Sequence, residues 1–144
     1  MEKRAVKKSI QVHASASEVW RAITDPEMVK KYFFGTDVES DWKKGSPIIY
    51  SGIWKGKEYR DKGEILEVEK ERKLSHTHWS SLSGTPAEAE NFFTVTYELE
   101  PRGEDTIVSV VQTGLMSQET YDHSGENWDM VLNKMKELLE KVPV

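Results

Sequence analysis

The sequence predicts an α+β fold in which a curved antiparallel sheet of about six to seven strands wraps around one long C-terminal helix. Three observations predict it. Trp128, Val131, Leu132, Met135, Leu138, Leu139 and Val142 recur at spacings of three and four, which draws a single apolar stripe on a helix from Ser124 to Lys141. From Thr36 onward about eighty residues keep a period of two, as half-buried strands do. Between an opening strand and that run stand two helix-start signals, so two short helices follow the first strand.

The opening strand covers Ala5 to His13, where Ile10 and Val12 alternate. Ser15-Ala16-Ser17-Glu18 matches a capping box, and Val19, Trp20 and Ile23 give the helix behind it an inward face. Asp25-Pro26 stops that helix and starts the next, because proline disfavours helix in the residue before it yet suits a first turn capped by aspartate. Met28, Val29, Tyr32 and Phe33 mark the second helix, which Gly35 ends. Strands are expected near Thr36 to Glu39, Pro47 to Ile53, Glu58 to Val68, Lys73 to Ser80, Asn91 to Glu100 and Thr106 to Gly114. The breakers between most of them are short and polar, so neighbours in sequence should pair antiparallel. Longer connections are expected at Ser81 to Glu90 and at Leu115 to His123. The last helix begins after Ser124 as its cap and ends at Pro143.

With 144 residues and 37% hydrophobic content, the chain is expected to form one domain, 1–144, with a substantial core. The net charge is -5 and the basic residues are scattered, which argues against nucleic acid and against membrane insertion. There is no cysteine, so disulfides and thiolate chemistry are excluded. Met1 to Lys8 lacks the apolar run of a signal peptide, and a cytoplasmic location is expected.

Several stretches resemble the helix-grip fold of the START-like (SRPBCC) superfamily, and within it the domain named after the activator of the Hsp90 ATPase (AHSA1-like). They are Val12 to Glu27, Gly63 to Val68, Leu74 to Trp79, Val95 to Pro101, Gln112 to Leu115 and the Trp128 to Leu139 helix. The resemblance implies a largely apolar cavity between the long helix and the sheet. It does not imply one activity, because relatives include lipid and small-molecule carriers, aromatases and cyclases, and co-chaperone domains.

Period two sorts the strands into faces. Phe93, Val95, Tyr97 and Leu99 share the inner face with Val108, Val110 and Gln112, and if Leu74 points inward then His76 and His78 do too. A filled core would rarely take His76, His78, Gln112, Tyr97 and Tyr50 together, since an unpartnered buried polar group costs about 1 to 3 kcal/mol. A ligand pocket with apolar walls and a few convergent polar groups removes that objection. The alternative is that these groups bond to one another or reach the open end of the sheet.

The candidate ligand-binding residues are therefore His76, His78, Tyr97, Gln112, Trp128, Met135, Val95, Phe93, Tyr50 and Leu139. His76 and His78 stand about 6 to 7 Å apart at Cα, close enough to share a metal only if a third ligand converges. His13, His123, Glu90 and Glu67 are available, but spacing places none of them, so no metal and no cofactor is assigned. No phosphate loop, nucleophile elbow or zinc-protease helix is present.

The expected function is binding of a small hydrophobic or amphipathic molecule. The alternative is an aromatase, cyclase or hydratase using a pocket histidine; an Hsp90-type chaperone partner ranks below both. Monomer and homodimer are both compatible with the sequence.

Overall fold

The structure is a computed structural model and describes residues 2–140; Lys141, Val142 and Pro143, expected at the end of the last helix, lie outside the described residues. The elements run β1 (Glu2–Val12), α1 (Ala16–Thr24), α2 (Pro26–Tyr32), β2 (Asp37–Ser40), β3 (Pro47–Trp54), β4 (Lys57–Glu69), β5 (Lys73–His78), β6 (Phe93–Arg102), β7 (Asp105–Met116) and α3 (Gln118–Glu140). A single 3-10 turn, Ala89–Asn91, interrupts the long loop before β6. This is the predicted α+β helix-grip architecture. One seven-stranded antiparallel sheet has the order β1-β7-β6-β5-β4-β3-β2.

Local chemistry sets the boundaries. The Glu18 amide donates to Ser15 Oγ at 3.1 Å, and Pro26 opens α2 behind Asp25, whose carboxylate accepts from the Glu27 amide at 3.0 Å. Lys55 and Gly56 both have positive φ in the two-residue turn joining β3 to β4, the twist that a tight hairpin requires. Gly63 is fixed by a close approach: a Cβ there would stand 1.7 Å from the Thr77 carbonyl oxygen.

Two expected boundaries are corrected. β1 extends back to Glu2, paired along its whole length with β7, and its charged residues Glu2, Lys3, Arg4, Lys7 and Lys8 suit a sheet edge. The stretch from Leu115 to His123 is not a loop, because β7 continues to Met116 and α3 starts at Gln118. Ser117 rather than Ser124 makes the capping bond, Thr120 N–H to Ser117 Oγ at 3.1 Å. The apolar stripe is hidden in this first stretch because its middle position is Gly125, buried where the Lys8 side chain crosses α3 and would touch a Cβ at 3.4 Å.

The core lies between the inner sheet face and the helices. Cross-strand partners Ile65, His76, Val95, Gln112 and Val6 form one row across five strands, and all five are buried. The next row carries Leu74, Tyr97 and Val110, also buried. α3 runs back along this surface, so that Lys136 Nζ donates to the Gln11 carbonyl and Glu140 accepts from the His13 amide.

Candidate functional site

His76 sits in the middle of the first row, 2% exposed, on the inner face with Leu74. Its Nδ1 is 2.8 Å from the Thr77 carbonyl oxygen, which can only accept, so the ring proton resides on Nδ1. Nε2 is left as an acceptor, fully buried and without a hydrogen-bond partner. Burial lowers the pKa of His76 to about 4, with the neighbouring His78 adding to the effect, so the ring is neutral at pH 7.

His78 lies two residues further along the same face. Its Nε2 is 3.1 Å from Asp61 Oδ2, and the other oxygen of Asp61 accepts from the Ser81 amide at 2.9 Å and the Ser81 hydroxyl at 3.2 Å. A carboxylate anchored in this way orients the imidazole and takes its Nε2–H.

Around the histidines runs a closed circuit of rings. Ring centres are 5.7 Å apart for Phe33 and Tyr50, 5.9 Å for Tyr50 and His76, 6.5 Å for His76 and Tyr97, 5.8 Å for Tyr97 and Trp128, and 6.1 Å for Trp128 and Phe33. These are contact distances for aromatic pairs. Trp128 also donates through Nε1 to Gln112 Oε1 at 2.7 Å, so those two buried groups satisfy each other. Burial raises the Tyr32, Tyr50 and Tyr97 hydroxyls above the usual phenol range and keeps them protonated.

The space expected between helix and sheet is thus occupied, around the histidines, by side chains in contact. Tyr50, Tyr97, Phe33 and Trp128 are long enough to meet across it. Two depressions of about 400 and 370 Å³ lie elsewhere, one on the outer sheet face beside Arg72 and Glu98, the other between β1 and α3 beside Lys8 and Asp129.

Residues 13–140 match the family described as Activator of Hsp90 ATPase homolog 1-like protein. The chain belongs to this AHSA1-like family. The solution structure of ChR145 from Cytophaga hutchinsonii is 38% identical, with 97% of each chain covered and a TM-score of 0.83. The same fold occurs in MLL2253 from Mesorhizobium loti, at 23% identity, 98% and 100% coverage and a TM-score of 0.78. It occurs again in the Aha1 dimer from Colwellia psychrerythraea, at 17% identity, 95% and 96% coverage and a TM-score of 0.76. No curated protein matches the chain.

Within this AHSA1-like domain, Tyr50, His76, His78, Tyr97, Gln112 and Trp128 come together, with Val95 between His76 and Gln112 in the same row. Phe93 stands at the edge, across from His78 and against Gly114, where a Cβ would lie 2.6 Å from its ring. Met135 and Leu139 are not part of the group. They follow Trp128 by about 10 and 16 Å along the helix at 1.5 Å per residue, Met135 buried and Leu139 half-buried.

Asp61 and Phe33 were not among the candidates. Asp61 shares strand parity with buried Ile65, a signal that was available, whereas Phe33 sits at a helix end where parity says nothing. The metal-ligand candidates are held elsewhere. His13 contacts Asp105 at 2.6 Å and His123 is exposed on α3; among the described residues no group of three possible ligands converges. Among them also, no helix is long and apolar enough to cross a membrane.

Proposed function

We propose that the domain binds a small, mainly apolar molecule among the rings between α3 and the inner sheet face, with its polar end at His76, His78, Tyr50, Tyr97, Gln112 and Trp128. The buried, unpartnered Nε2 of His76 carries this reading. An acceptor left in that state costs about 1 to 3 kcal/mol, and a ligand donor would recover it. Admission requires the ring circuit to open. Phe33, half-buried just after α2, is the member of the circuit most open to solvent, and its neighbour Phe34, also half-buried, packs on it from outside the circuit.

Thermal shift against lipids, sterols and aromatic polyketides tests the proposal. A ligand at 100 times its Kd adds about 2.7 kcal/mol, which raises the Tm by about 8 °C for a chain of this size. No shift across the panel contradicts it.

The contact between His78 and Asp61 favours a second reading, acid/base catalysis in the same site. It predicts turnover that disappears in His78→Ala and falls in Asp61→Asn while both variants remain folded. Equal turnover in all three proteins removes it.

A further inference from the structure

We infer that the polar end of this site selects an uncharged hydroxyl donor, an alcohol or phenol, over a carboxylate or other anion. The inference rests on the binding reading above and names its ligand class.

The site offers His76 Nε2 to a ligand as an acceptor and keeps its three ring N–H donors engaged, while the Gln112 carboxamide NH2, its Oε1 taken by Trp128, is neutral and brings no charge to meet an anion. The Nδ1 proton of His76 is committed to the Thr77 carbonyl, and the Nε2 proton of His78 to the Asp61 carboxylate. The indole N–H of Trp128 is committed to Gln112. Among the described residues, the fully buried polar side-chain atom left without a partner is His76 Nε2, an acceptor. An incoming anion would bring a second acceptor to an acceptor, whereas a hydroxyl would bring its proton.

Compensating charge is missing as well. Every lysine and arginine among the described residues is at least partly exposed. The half-buried ones pair with surface acids: Arg4 with Glu2, Lys8 with Asp129, Lys73 with Glu67 and Lys136 with Glu140. The Tyr50 and Tyr97 hydroxyls can turn to donate or to accept, but they are neutral and cannot balance a buried charge. The Asp61 carboxylate beside His78 places a formal negative charge at this end of the site, which repels an anion.

Three probes of one shape separate the possibilities: 2-naphthol, 2-methoxynaphthalene and 2-naphthoate, titrated calorimetrically into the full chain at pH 7.5. 2-Naphthol should bind about tenfold or more tightly than either of the others. His76→Phe should erase that preference, and His76→Gln, which keeps an acceptor oxygen, should retain part of it. If a variant does not fold, the series on the unaltered protein decides alone. Naphthoate or methoxynaphthalene binding as tightly as naphthol overturns the head-group selection and leaves the binding reading standing. No binding by any of the three overturns both.

Discussion

Along α3 the interface changes character between Trp128 and Met135. On the Met135 side it is carbon against carbon: Val131, Leu132 and Met135 are buried in a core shared with Val12, Val19, Ile23 and Val108. On the Trp128 side the same helix meets Gln112 and Tyr97, with His76 and Tyr50 next in the ring circuit, all four buried and all carrying polar atoms. The first half has no reason to contain anything but these atoms. The second carries an unpaired acceptor that a fold optimised only for stability would have replaced with carbon. The proposed binding function therefore draws on one end of the helix and stability on the other.

The difference is sharpest in mutations. Leu132→Ala or Met135→Ala should lower stability by about 2 to 5 kcal/mol, read as a fall in the urea midpoint at unchanged m, because a cavity opens where nothing can refill it. His76→Phe should do the opposite, holding or raising stability by about 1 to 3 kcal/mol while abolishing the response to ligand. A large loss in His76→Phe would mean that both ends are ordinary core.

pH separates the ends next. Folded His76 stays neutral down to about pH 4, whereas an unfolded imidazole takes up its proton near 6.5. Below pH 6.5 the unfolded chain binds the extra proton, so the contribution of His76 is complete above 6.5 and is lost as pH falls towards 4. The total is about 3 kcal/mol at 1.36 kcal/mol per unit. His13 acts in reverse, since its bond to Asp105 raises its pKa and its contribution fades as pH rises. Urea titrations of the unaltered protein and His76→Phe between pH 4 and 7 isolate the first effect, which should vanish in the variant.

The smallest effect concerns the bond joining helix to sheet at the polar end. A double-mutant cycle of Trp128→Phe and Gln112→Leu should give a coupling of about 1 kcal/mol, because each partner removed alone strands the other. Zero coupling would show that the ring circuit tolerates movement of Trp128 without cost.

Much of this division was legible in residue order. The capping serine, the Asp25-Pro26 break, the alternation on β5, β6 and β7, and the spacing of Trp128 to Leu139 are local patterns, and local patterns survive folding. What stayed hidden depends on contacts between distant segments. The first turns of α3 look polar because Gly125 stands where Lys8 crosses. Asp61 shares the parity of buried Ile65, but what satisfies a carboxylate there shows only once the Ser81 loop folds over it. The closure of the ring circuit requires Phe33, from a helix end, to reach both Tyr50 and Trp128. Sequence spacing marks one stripe that runs on from Trp128 to Met135 and Leu139, and spacing cannot show where the chemistry along it changes.

Imidazole nitrogen resonances of the 15N-labelled protein, followed while a stabilising ligand is added, test the central claim most directly. His76 Nδ1 should remain protonated and unmoved, while Nε2 shifts from a free to a hydrogen-bonded acceptor in proportion to occupancy. An Nε2 signal that ignores a bound ligand, or that already reports a hydrogen bond in its absence, would contradict the account.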